Sequence, residues 1–234
     1  MTVVKRILCL ANSKKMSGRC VAGRELLANK PGAWIRPVSR RDSEEVSEYE
    51  RQFEDGSDPR VLDVIDIPLT ASRPHACQTE NWLLEPDEYW ILVRKIGWAE
   101  LLSFAERPQT LWIDGYSTYH GQNDEIARPL ADKLPCSLHL IHVRDIQLKV
   151  FAPGASFGNA KRRVLAKFEY SGVQYWLWVT DPLIEREYLG QPDGTYPLGE
   201  SCICVSLGEP FTKNGNECRY KLVASIIQRA VVLK

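Results

Sequence analysis

The chain has 234 residues, 44% of them apolar, and its 30 basic and 30 acidic side chains cancel to a formal net charge of zero. That is ample for one large core or for two domains of about 100 residues each. No stretch approaches the roughly 18 uninterrupted apolar residues of a membrane helix, no apolar run with a small-residue cleavage site opens the chain, and seven scattered cysteines make no disulfide framework, which points to a soluble, unsecreted, cytoplasmic protein.

Taken from the start, the charge is sorted. Residues 1–41 carry Lys5, Arg6, Lys14, Lys15, Arg19, Arg24, Lys30, Arg36, Arg40 and Arg41 against Glu25 alone, a local charge of +9. Residues 42–66 reverse it, with ten carboxylates against Arg51 and Arg60. A local basic surface can bind phosphate backbones even where the whole chain is neutral.

Short apolar runs rich in β-branched and aromatic residues, broken by Gly, Pro, Asn and Asp, predict strands at 3–10, 33–38, 61–69 and 88–93. A second set follows at 138–151, 163–170, 173–180, 202–207 and 220–232. Only 25–29, 99–105 and 124–133 have helical periodicity, and the loops at 39–59 and 184–200 are long and polar. The expected fold is mainly β, two small β-barrels with a few short helices, covering 1–133 and 134–234 with the turn-rich stretch 106–135 between them.

Within the basic block, Gly18 and Gly23 permit close backbone approach, and Asn12, Ser13, Lys14, Lys15 and Arg19 offer donors for a phosphate or polar ligand. Trp34 and Arg36 alternate on a short strand and share a face, a ring beside a cation. The competing reading has Trp34 filling the core and Arg36 paired to the acidic segment that follows.

The order of these pieces matters: strand, Ala11-Asn12-Ser13, a basic Gly-containing loop, Gly18-Arg-Cys-x-Ala-Gly-x-Glu25 and Trp34-Ile-Arg-Pro-Val-Ser39. With Asp58-Pro-Arg-x-Leu-Asp63, Glu80-Asn-Trp82, Val179-Thr-Asp-Pro182, Val205-Ser-Leu-Gly-Glu-Pro-Phe211 and Tyr220-Lys-Leu-Val-Ala224, the chain resembles the bacterial dual OB-containing domain proteins over nearly its whole length. The resemblance implies two OB-like barrels and nucleic-acid recognition in mobile-element or phage-conflict settings of a bacterium. It brings no catalytic residues.

The second half contains a hairpin legible in detail. Ser171-Gly172 as a two-residue turn puts Tyr170 opposite Val173, Phe168 opposite Tyr175, Ala166 opposite Leu177 and Val164 opposite Val179 on a core face. On the other face Lys167 opposes Trp176 and Leu165 opposes Trp178, with Arg163 adjoining and Lys161 and Arg162 extending the charge. Two tryptophans and two cations on one surface suit stacked bases and a phosphate backbone. The alternative is that a helix or the other barrel covers both rings.

Catalytic constellations are weak. Cys202-Ile-Cys204 with Cys218 lacks a metal-knuckle spacing and a fourth ligand, and His139 and His142 fall on opposite strand faces. His120, in Tyr119-His-Gly-Gln-Asn-Asp124, is the best enzyme candidate, in a turn of a type that is more often plain surface. No phosphate loop or dinucleotide fingerprint is present. The expected protein is therefore non-enzymatic, with no metal and no cofactor, binding DNA or RNA as a single strand or structured end. Lys14, Lys15, Arg19, Arg24, Trp34, Arg36 and Arg40 form one expected patch, and Arg163, Lys167, Trp176 and Trp178 the other. Two alternatives are an adaptor subunit that meets a protein partner encoded nearby and a nucleotide or small-ligand sensor built on the 12–25 loop.

Overall fold

A computed structural model describes residues 2–28, 30–213 and 215–233. The chain forms two units, Met1–Phe104 with Pro135–Ser137, and Ala105–Leu134 with Leu138–Lys234.

In the first unit the strands are β1 (Val3–Lys15), β2 (Gly18–Leu27), β3 (Lys30–Val38), β4 (Asp63–Ser72), β5 (Asn81–Leu84) and β6 (Ile91–Lys95), with short helices α1 (Glu48–Arg51) and α2 (Trp98–Leu102). Their order is β1-β2-β3-β5-β4, and β4 pairs back onto β1, closing a ring. β3 and β5 run parallel, and every other pairing in the ring is antiparallel. Five strands in this order make an OB-type barrel. β6 adds to β4 outside it.

The core of this unit is Ile7, Cys9, Val21, Ile35, Ile65, Ile67 and Leu69, alternate residues of the strands, capped by Phe53 and Trp90. The basic stretch 12–25 is not a loop: Lys14 pairs with Arg19 and Lys15 with Gly18 across a tight β1–β2 turn. β2 continues to Leu27, so the helix expected at 25–29 is a strand over its first three residues, and Asn29 lies outside the described residues. The acidic segment packs on this hairpin, because Arg19 and Val46 exchange backbone hydrogen bonds of 2.9 Å. It also folds its own helix: the Ser47 hydroxyl accepts from the Glu50 amide and the Glu50 carboxylate accepts from the Ser47 amide, a reciprocal capping box.

The second unit contains β7 (Glu125–Ala127), β8 (Leu138–Val143), β9 (Ile146–Phe151), β10 (Arg163–Tyr170), β11 (Val173–Val179), β12 (Gly194–Pro197), β13 (Ser201–Leu207), β14 (Phe211–Lys213) and β15 (Asn216–Gln228). Its helices are α3 (Arg128–Ala131), α4 (Pro182–Leu189) and α5 (Arg229–Val232). The order runs β9-β10-β11-β15-β13-β8. β8 and β9 are one strand broken at Arg144-Asp145, so this ring closes as the first does, again with one parallel pair, β11 and β15. The two units share one topology without a shared sequence repeat.

The chain divides at Phe104 and Ala105, not near Lys133, because residues 105–134 are stitched onto the second barrel. Glu106 N donates to Leu140 O at 2.7 Å, β7 pairs with β15, and the Tyr175 hydroxyl and the buried Lys221 ammonium both donate to Asp114, at 2.8 and 2.7 Å. The expected helix at 124–133 is reduced to α3, since β7 takes its start. In the expected loop at 184–200 the chain forms most of α4 and all of β12. Asp181 sets α4, accepting from the Leu183 and Ile184 amides and, with its other oxygen, from Ile226 N.

Gly23 shows how tightly the first ring is drawn, because a Cβ there would run into the Leu8 carbonyl on the paired strand. Gly23→Ala is expected to destabilise this unit by about 1–3 kcal/mol, read as a lower urea midpoint in tryptophan fluorescence.

Candidate nucleic-acid interface

The hairpin of β10 and β11 has the register read from the sequence, with Tyr170 opposite Val173, Phe168 opposite Tyr175, Lys167 opposite Trp176 and Leu165 opposite Trp178. Ser171 and Gly172 have φ of 51° and 78°, the left-handed pair that a type I′ turn requires. Val164, Ala166, Phe168, Tyr175, Leu177 and Val179 lie in the core. The period-2 alternation therefore sends Arg163, Leu165, Lys167, Trp176 and Trp178 outward.

On that outer face the cations sit on the rings. Lys167 Nζ is 3.8 Å from the centroid of Trp176, and the Arg163 guanidinium carbon is 4.0 Å from that of Trp178. β9 adds two residues that sequence reasoning missed: Phe151, paired with Arg163, and Lys149, paired with Leu165. Phe151 lies nearly parallel to Trp178, with centroids 5.9 Å apart and planes at 24°, and Lys149 Nζ is 4.6 Å from the Phe151 ring. The signal was present in the alternation Gln147, Lys149, Phe151 against apolar Ile146, Leu148 and Val150, hidden because 138–151 reads as a single apolar run. Leu165, flanked by Trp178 and Lys149, is 1% exposed although it points outward, so the side chains form a continuous layer.

The 114–124 segment borders this layer. Gln122 and Trp176 exchange backbone hydrogen bonds of 3.2 and 3.1 Å, and Asp124 holds the turn by accepting from the amide and hydroxyl of Thr118. His120 is thereby set against Phe151 and Trp178, with centroids at 5.3 and 6.4 Å and its Nε2 3.0 Å from Pro153 O. Its surroundings are rings and a carbonyl, the environment of a packing residue. Beyond it, Tyr119 and Phe157 are 91% and 86% exposed, two aromatic tips on the loops that flank β9 and β10.

Electrostatics follow from this packing. Partial burial disfavours the charged forms of Arg163 and Lys167 and lowers both pKa values, with Lys149 adding like-charge repulsion at Lys167. Lys161 is exposed beside the face, while Arg162 is engaged with Asp193 at 2.7 Å and with the Leu189 and Gln191 carbonyls.

The first unit treats the equivalent strands differently. Trp34 and Arg36 flank core residue Ile35 and so point outward, but they are only 8% and 4% exposed. Arg36 Nη2 is 3.0 Å from Glu80 Oε1 and 2.9 Å from Ser137 Oγ, and Ser137 also hydrogen-bonds Glu80. Both residues are thus corrected from a solvent-facing platform to a closed ion-pair layer. The partner of Arg36 is Glu80, not the acidic segment. Arg24 spans the layer's rim, donating to Gly32 O at 2.7 Å with its guanidinium 5.8 Å from the Trp34 ring.

Lys14, Lys15 and Arg19 stand at the β1–β2 hairpin tip and Arg40 beyond β3, with Lys14 and Arg40 exposed. Among the described residues no carboxylate lies within ion-pair distance of Lys14, Arg19 or Arg40. The acidic segment instead pairs with Arg41, Arg51 and Arg73. All seven cysteines are free thiols, and burial pushes Cys202 up to about 12. His139 and His142 contact separate carboxylates, Glu106 and Glu200.

Each unit is a β-barrel of OB topology, and the second presents on strands β10 and β11 the face with which such barrels take oligonucleotides or oligosaccharides. A family model for the dual OB-containing domain matches residues 5–226, and the chain belongs to that family. No curated protein and no solved structure matches it.

The closed layer of the first unit has a measurable cost when opened. Arg36→Ala, which leaves Glu80 buried without its cation, is expected to destabilise the unit by about 3–5 kcal/mol. Arg40→Ala, at an exposed site, should stay within about 0.5 kcal/mol of the parent. Paired urea titrations compare the two.

Proposed function

We propose that this protein binds single-stranded nucleic acid, or an unpaired end, on the outer face of β9, β10 and β11, without catalysing a reaction. The observation that carries this reading is the pairing of Trp176 with Lys167 and Trp178 with Arg163 on the face an OB barrel uses for oligomers. A base stacks on an aromatic ring for about 1–3 kcal/mol, and on a guanidinium plane as well, while the adjacent cations meet the phosphates. Phe151 continues the stack at its near-parallel angle, and Tyr119 and Phe157 are placed to hold bases that leave the sheet. Lys14, Lys15, Arg19 and Arg40 form a second, weaker contact that follows the backbone by charge alone. A bacterial mobile-element or phage-conflict setting belongs to the same proposal and rests on family membership.

Fluorescence anisotropy with labelled single-stranded DNA and RNA tests it. Trp178→Ala and Trp176→Ala are each expected to weaken binding by a factor corresponding to about 1–3 kcal/mol, more than Lys14→Ala does. Log affinity should fall linearly with log salt. No binding at low salt, or full binding by the double tryptophan variant, rejects the reading.

The lowered pKa of Lys167 gives an independent check. It is charged below its pKa, so affinity is lost as pH rises through that value, earlier than an ordinary lysine near 10.4 predicts. Lys167→Arg, charged throughout, should hold affinity to higher pH in the same titration.

A further inference from the structure

β12 lies outside the ring of the second unit. It pairs with β9 alone, on the edge that β10 leaves free, and so widens the sheet beside the interface by one strand. Tyr196 and Leu198 pack toward the core, and a period of two then turns Thr195 and Pro197 outward, where both are exposed. The register fixes their neighbours. Thr195 stands opposite Lys149, and Pro197 opposite Gln147, which on its other side stands opposite Lys167. Residues directly opposite in an antiparallel pair share a face, with Cβ atoms about 5 Å apart. Thr195, Lys149, Gln147 and Lys167 are therefore one contiguous group on the outer face.

The chemistry of this group is one-sided. It holds two ammonium groups, an amide and a hydroxyl, and no carboxylate or aromatic ring stands among them. Lys149 Nζ and Lys167 Nζ sit on rings to either side, Phe151 at 4.6 Å and Trp176 at 3.8 Å, and among the described residues neither has a carboxylate within ion-pair distance. Their like charges repel each other, an arrangement that sheets ordinarily avoid. Strand cations elsewhere in the chain are answered, Lys5 by Glu25 and Arg6 by Asp66. An anion is what this group lacks. The oxygens of a phosphate accept from ammonium, amide and hydroxyl alike, and a phosphate relieves the repulsion between the two lysines.

We infer that β9 and β12 supply the phosphate side of the interface: Lys149, Gln147 and Thr195, with Lys167, hold the phosphodiester backbone of a single strand whose bases lie on Trp176 and Trp178. This rests on the nucleic-acid reading above and divides its face between backbone and base. Fluorescence anisotropy of the full chain across a salt series, with a labelled single-stranded oligonucleotide and with an abasic oligomer of the same length, is the test. Lys149→Gln is expected to weaken binding alike for every base sequence and to reduce the slope of log affinity against log salt by about 0.7, one phosphate contact on a single strand. Lys149→Arg keeps the charge and should keep the wild-type slope, which separates lost charge from lost packing on Phe151. Thr195→Val should weaken binding by about two- to tenfold with the slope unchanged. On the abasic oligomer the Lys149→Gln loss should persist, whereas Trp178→Ala should bind as the wild type does. A wild-type chain that binds the oligonucleotide while Lys149→Gln keeps its full slope, or an abasic oligomer on which Lys149→Gln matches the wild type, overturns the inference and leaves a nucleic-acid-binding face standing. A wild-type chain that binds neither oligomer at low salt overturns both.

Discussion

In each barrel one parallel pairing, β3 with β5 and β11 with β15, does what no hairpin can, and the rest of the architecture follows from it. Parallel strands cannot be joined by a tight turn, so the chain must leave the sheet and return. It leaves through the acidic segment and α1 in the first unit and through α4 and β12 in the second. The return strand closes the ring and removes most free edges. Closure also commits the second and third strands of each ring to a convex outer face that only added chain or a ligand can cover.

The units resolve that exposed face in opposite ways. In the first, Arg36, Glu80 and Ser137 form a nearly dry ion-pair layer over it, with Trp34 buried beside them. Such a layer is costly to desolvate and costly to open, which makes it a seal. In the second, the cations remain on their own aromatic rings. Those cation–π contacts hold Trp176 and Trp178 in place, so the binding proposed above would have less side-chain entropy to lose there. Lys167 and Arg163 stay half-buried on those rings, and the Glu185 carboxylate acts on Arg163 from nearby. One topology thus carries a buried ion-pair face and a half-buried aromatic one, the difference lying in a handful of side chains.

Much of this was legible in the sequence where a single physical rule acts alone. Ser171-Gly172 permits only a primed turn between its strands, and period 2 then assigns every side chain of β10 and β11 to a face, so Lys167, Arg163, Trp176 and Trp178 could be placed together. Where two rules compete, the reading failed. Glu25 to Asn29 has helical spacing, yet pairing with β3 over Leu26 and Leu27 makes 25–27 strand. Trp34 and Arg36 do share an outward face, as alternation demands, but what covers that face comes from Glu80 and Ser137, 44 and 101 residues from Arg36 in sequence. No local pattern reports a contact of that separation. Phe151 and Lys149 were missed, and His120 was weighed as a catalytic candidate and not as a packing residue, for a related reason: the aromatic layer is assembled by three strands and a turn held by Asp124.

The motifs that betray the family are a different matter from the site. Asn12 donates to Pro59 O at 2.8 Å, Asp63 accepts from the Arg60 amide at 2.8 Å, Glu80 holds Arg36, and Asp181 caps α4 while accepting from β15. Gly18 and Gly23 let backbones meet where a Cβ would strike the Val46 and Leu8 carbonyls. These residues are brackets: they fix loops and strands within each barrel. A chain can therefore be recognised by residues that specify its closure while its ligand is chosen by others that the same fold leaves free to vary. On the function proposed above, the choice for this protein rests with the outward positions of β9, β10 and β11, which lie apart from the core residues of the barrel beneath.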